Sequence, residues 1–192
     1  MNGPQAIEHI LDLMRRALPD NLIYHGVAHT IMVLEAAEKI ARVEGLPEKE
    51  TQLLKVAAAF HDCGFIISYK EHEARSCDIA NAELPAFGFS GEEIAIINSM
   101  IMCTRLPQQP STPSECILCD ADLDYLGGDD YFRIATGLHE ELLLNGAEMD
   151  DSKWLKVQIG FLEAHSYWTQ YARQILQPGK DAVLSELKTR LG

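Results

Sequence analysis

Three short stretches of this chain carry imidazole and carboxylate side chains at spacings that suit a metal ion. YHGVAHT (residues 24–30) holds His25 and His29, FHDCGF (60–65) holds His61 and Asp62, and CDADLDYLGGDD (119–130) holds Asp120, Asp122 and Asp124. On a helix the adjacent His61 and Asp62 point about 100° apart, so both reach one ion only if it sits beside the helix. An imidazole and a carboxylate form a mixed N/O donor set that suits Mn, Fe, Co, Ni, Zn or Mg without choosing among them. The apolar run VAAAF just before the pair implies a buried helix. An ionised Asp62 there is costly unless a cation or hydrogen bonds compensate. A lone His-Asp pair more often caps its helix, so the weight rests on the three stretches together.

The elements that must position these residues read as helices throughout. Ile7, Ile10, Leu11, Met14 and Leu18 follow the i, i+3, i+4, i+7 rule, and Pro19 and Asp20 end that helix. A second helix is expected from near His29 to about Val43, punctuated by Gly45 and Pro47. A third carries Leu53, Leu54, Val56, Ala57 and Phe60 straight into His61-Asp62, with Gly64 as a stop. A fourth covers about 71–82. Ser90 and Glu93 form a capping box for the next, as do Thr112 and Glu115 for a helix that runs through Asp122 and stops at Gly127. Helices at about 130–144 and 152–176 follow, the second closed by Pro178, and a short polar helix ends the chain. No strand alternation, repeat or linker stands out. The expectation is one all-α domain over 1–192, a core of approximately 20–130 with C-terminal helices 131–192 packed on it.

The order histidine, then His-Asp after an apolar helix, then aspartate in an apolar helix resembles the HD superfamily of metal-dependent phosphohydrolases, in particular an uncharacterised bacterial branch. The resemblance covers roughly residues 20–130 and rests on YHGVAHT, FHDCGF, HEARS (72–76) and CDADLDYLG, with IMCTRLPQQP upstream of the last. It implies an HD-domain helical bundle and a metal held by His29, His61, Asp62 and a later aspartate. Asp120 and Asp122 lie about 200° apart on a helix and cannot serve one ion equally. The family pattern of alanine, aspartate and an apolar residue fits Ala121-Asp122-Leu123 and favours Asp122 over Asp120 as the fourth ligand; Asp120 is the alternative, or a candidate to orient a ligand histidine. Two-metal branches commonly carry two more histidines before the final aspartate. Here only His72 lies between Asp62 and Asp122, so one divalent ion is expected and a di-iron oxygenase is disfavoured.

The activity implied by the resemblance is hydrolysis of a small phosphorylated substrate, with nucleotides among the candidates, by metal-activated water. Asp62 can orient that water. His25, in the turn before His29, is a candidate proton donor or substrate contact, or a structural residue. Lys70 and Arg105 are candidate phosphate clamps, and His72 can meet a phosphate oxygen, a second metal or solvent. Asp124, Asp129 and Asp130 read as solvated acids at helix ends. His9, His139 and His165 read as ordinary helix residues. The alternative is a sensor or partner-binding module that holds metal or nucleotide without turnover.

The formal charge of −13 argues against nucleic-acid polymers and anionic membranes as partners. No apolar run nears the roughly 18 residues of a membrane span, and no secretory signal is evident, so a cytoplasmic location is expected. Five cysteines, an odd number, suit reduced thiols. Cys116 and Cys119 have no second pair to complete a zinc site and read as packing residues, as does Cys63.

Overall fold

The run Val56–Phe60 has no solvent exposure at any of its five positions, and the fold is arranged around it. The structure, a computed structural model, describes residues 1–191. Among these are ten α-helices and no strand: α1 (Gly3–Ala17), α2 (Val27–Glu44), α3 (Glu48–Phe60), α4 (His72–Glu83), α5 (Gly91–Cys103), α6 (Pro113–Asp122), α7 (Tyr131–Leu144), α8 (Asp151–Ala164), α9 (Gln170–Ile175) and α10 (Gln177–Leu191). Helix α3 packs against α1, α2, α5 and α6. Its alanines 57–59 let neighbouring backbones approach closely, and Leu54 and Phe60 fill what remains. A second apolar cluster joins the turn after α6 to α7, α8, α9 and α10, through residues such as Leu126, Ile134, Leu162 and Leu187. Helix α9 also touches α2.

Local chemistry sets most helix ends where the sequence places them. Ser90 accepts from the Glu93 amide and Thr112 from the Glu115 amide, each with the reciprocal glutamate contact of a capping box. Gly26 is the N-cap of α2, which brings His29 into its first turn. Gly45 closes α2 at φ 73°, a left-handed conformation that glycine adopts without steric cost.

The C-terminal third departs from expectation. The helix expected over 152–176 is broken at 165–169. Thr169 opens α9 by accepting from the Ala172 amide, and its own amide is held by a distant carboxylate described below. Pro178 does not close a helix. It sits in the first turn of α10, where a missing amide hydrogen costs nothing. The final helix is fifteen residues long. His165 lies in the break, where burial and the nearby Lys180 ammonium push its imidazole down to about 4.

The segment after α3 reaches the site through a close backbone contact. A 3-10 turn, Cys63–Ile66, lies flat on α4. A Cβ on Gly64 would fall 1.9 Å from the His72 carbonyl oxygen and 2.5 Å from the Ser76 amide nitrogen, both backbone atoms that no rotamer change relieves. Ser76 Oγ accepts from the Gly64 amide at 2.8 Å and donates to the His61 carbonyl at 2.6 Å. Gly64→Ala should therefore push α4 off the His61-Asp62 segment, costing about 3 kcal/mol. A chemical denaturation midpoint clearly below wild type is the expected result, and an unchanged midpoint would contradict the close approach.

Candidate metal centre

Four side chains from three helices meet at the inner end of a cleft. His29 comes from the first turn of α2, His61 and Asp62 from the two residues that follow α3, and Asp122 from the last position of α6. Ligand atoms of His29, His61 and Asp122 lie within 4.8 Å of one another. His61 Nε2 and His29 Nε2 face each other at 3.3 Å. Asp122 Oδ1 is 3.2 Å from His29 Nε2 and 3.4 Å from His61 Nε2. Asp62 Oδ2 is 3.4 and 3.2 Å from the same two nitrogens.

Two observations show that this geometry fits a cation. His61 Nδ1 lies 2.8 Å from the Ala58 carbonyl and must donate to it, so in the neutral ring Nε2 carries a lone pair aimed at His29. Asp62 Oδ2 is buried and has no hydrogen-bond partner. A lone pair and an orphaned carboxylate oxygen converging in a buried place are costly unless positive charge lies between them. The electrostatics agree. Burial opposes charge on His61, yet Asp62 and Asp122 hold its imidazole well above the usual range. Burial likewise opposes ionisation of Asp62 and Asp122, but the neighbouring imidazoles hold both carboxyls well below theirs. Without metal the pocket retains a proton on His61, and a divalent ion can take its place.

The remaining candidates separate clearly. His72 lines the cavity with Nε2 3.4 Å from Asp62 Oδ1, on the side away from the two imidazoles, and its ring stacks on Phe65 at 4.0 Å. His25 lies in the turn before α2 and also lines the cavity. Arg105 stands on the cavity wall. Lys70 does not: it is exposed and outside the lining residues, because the chain turns at Glu71, at φ 57°, and brings Glu71 rather than Lys70 to the cavity. Asp120 does not orient a ligand histidine. It accepts from the Trp168 amide at 2.9 Å and the Thr169 amide at 2.7 Å, tying α6 to the start of α9. Asp124 is half-buried rather than solvated, and burial together with the Asp122 charge pushes its carboxyl up to about 6. Asp129 and Asp130 are exposed, Asp130 pairing with Arg133. Cys119 meets Cys103 across the α5–α6 contact, sulfur to sulfur at 3.4 Å.

Glu141 on α7 is the residue that sequence reasoning missed. It is wholly buried and accepts from the Tyr24 amide at 2.7 Å, the His25 amide at 2.9 Å, the Tyr69 hydroxyl at 3.2 Å and the His25 ring through Nδ1. It fixes the turn that leads into His29 and leaves His25 Nε2 as the unengaged ring nitrogen. A signal existed: Glu141 continues the inward spacing of Tyr131, Ile134 and Leu138, a carboxylate in an apolar register.

The cavity that starts at Asp62 and Asp122 has a volume of about 490 Å³ and extends between α7 and α8. Residues 25–115 match the family model for Ppx/GppA phosphatase, domain III, a span that holds His25, His29, His61, Asp62 and His72 and stops before Asp122. Among solved structures, the chain is similar to a predicted HD superfamily hydrolase from an uncultured Thermotogales bacterium. The TM-score is 0.65 and the identity 24%, over 96% of this chain and 90% of that one. No curated protein matches the sequence. The fold is therefore the HD-domain fold, present across nearly the whole chain.

Two predictions separate ligands from supports. Asp120→Asn should lower thermal stability while leaving metal content at the wild-type level, whereas Asp122→Asn should lose metal; loss of metal in the Asp120 variant would reverse their roles. Burial opposes ionisation of Glu141, but His25 and the two amides hold its carboxyl below the ordinary 4.5. Its stabilising share is thus full above pH 4.5 and is lost as pH falls through the depressed folded value. Denaturation of wild type and Glu141→Gln should show a gap of about 2 kcal/mol at neutral pH that closes on acidification. A gap that stays constant or widens in acid would contradict this role.

Proposed function

We propose that the protein is a metal-dependent hydrolase of small phosphate monoesters, with one divalent ion held by His29, His61, Asp62 and Asp122. The observation that carries this reading is the convergence of those four donors at the end of a cavity whose wall also presents Arg105. The likeness of residues 25–115 to a phosphatase domain and the whole-chain likeness to a predicted hydrolase support it. When bound, a divalent ion supplies a coordinated water of lowered pKa and polarises a phosphoryl oxygen.

The chain's own groups account for the rest. Arg105 draws the phosphate into a cleft otherwise rich in carboxylates and orients it through paired N–H donors. Asp62 accepts a hydrogen bond from the incoming water and aligns it with phosphorus. The water oxygen forms the new bond to phosphorus and gives up one proton through Asp62 to solvent as the bond to the leaving oxygen breaks. His25, oriented through Nδ1 by Glu141, delivers a proton from Nε2 to that leaving oxygen. His72 holds Asp62 from its far side. The net charge of −13 disfavours nucleic-acid polymers and anionic membrane surfaces as partners; among the described residues no helix is long and apolar enough to cross a membrane.

Turnover of p-nitrophenyl phosphate and a panel of monoesters, nucleotides included, with Mn, Co, Ni, Mg and Zn in turn, tests the reading. His61→Ala and Asp62→Ala should abolish turnover, His25→Ala should lower kcat by about 100-fold or more, and Arg105→Ala should act mainly on KM. Tight ligand binding without turnover in any metal would instead identify a sensor.

A further inference from the structure

The far end of the cavity differs in chemistry from the metal end. Leu126, Ala135, Leu138, Leu142, Trp154 and Phe161 form its walls, so a ligand anchored at Asp62 and Asp122 extends into an apolar slot between α7 and α8. The one amide side chain in that slot, Gln158, is engaged: its Oε1 accepts from the Tyr131 hydroxyl at 3.1 Å and its Nε2 lies 3.5 Å from the Trp154 carbonyl. Cations are equally scarce. Arg105 is the one arginine or lysine lining the cavity among the described residues, against the carboxylates of Asp62, Asp122, Glu71 and Glu73.

We infer that the substrate is the monophosphate ester of an apolar alcohol, alkyl or aryl, whose hydrocarbon body fills the slot between α7 and α8. The inference rests on the hydrolase reading for the phosphate end and on the slot itself for the body. A nucleobase would bring several donors and acceptors to walls that leave most of them unpaired, and desolvated polar groups without partners oppose binding. A di- or triphosphate would add charge beside four carboxylates with one arginine to meet it. A hydrocarbon chain needs no partners and gains from every methylene buried. The volume of about 490 Å³ lies in the range of ordinary small-molecule pockets.

The test is a series of ethyl, butyl, hexyl and octyl phosphates set against adenosine monophosphate on the metal-loaded protein, by kcat/KM and by calorimetric binding. Each added methylene should strengthen both by about fourfold, equivalent to about 0.8 kcal/mol, and octyl phosphate should exceed the nucleotide. Val157→Glu places a charge on the slot wall at a position already 42% exposed, where folding tolerates it. This variant, and Ala135→Trp, which fills the slot, should flatten the chain-length dependence. A flat series in wild type, or a nucleotide preferred over octyl phosphate, would overturn the inference and leave the hydrolase reading in place. Chain-length-dependent binding without turnover of any ester would overturn the hydrolase reading while supporting the apolar slot.

Discussion

An unshielded carboxylate oxygen sets the terms for this structure. Asp62 Oδ2 is buried, lacks a hydrogen-bond donor and looks at two imidazole nitrogens 3.2 and 3.4 Å away. A protein interior tolerates such an atom only where positive charge sits close by. A proton on His61 supplies that charge in the metal-free protein, and the proposed divalent ion would supply it when bound. Loss of Asp62 or either histidine leaves the others facing each other without reason.

Much of the fold holds this oxygen and its partners in place. Helix α3 is sheathed by four helices and leads into the His-Asp pair, so the pair follows directly on five fully buried residues. Ser76 clamps the His61 carbonyl and the Gly64 amide to α4. Two buried acids outside the ligand set connect the C-terminal helices to the site from opposite sides. Glu141 on α7 holds the turn before His29, and Asp120 on α6 holds the start of α9. The C-terminal helices thereby act both as wall of the cavity and as anchor for the ligand-bearing segments.

The elements that carry His29, His61, Asp62 and Asp122 were legible in the sequence because their signals are local. Capping boxes at Ser90 and Thr112, the apolar run before His61 and the glycine after α2 each reflect forces acting within a few residues. The break at 165–169 was not legible, because the bonds that stabilise it come from Asp120, nearly fifty residues earlier. The role open to Asp120 was not legible for the same reason: its carboxylate serves the start of α9, which lies far off in sequence. Lys70 was favoured for its charge and its closeness in sequence to the ligands, while the backbone at Glu71 turns it to solvent. Glu141 sat in view within an apolar register, but its partners lie more than a hundred residues upstream, in the turn at Tyr24 and His25.

The most direct measurement is calorimetric titration of metal-free protein with Mn²⁺, backed by elemental analysis of protein prepared without chelator. The expected result is one ion per chain, proton release that grows as pH is lowered because the His61 imidazole must give up its proton, and no saturable binding in His61→Ala. Failure of the wild-type protein to bind any divalent ion, or binding that survives loss of His61, would contradict it.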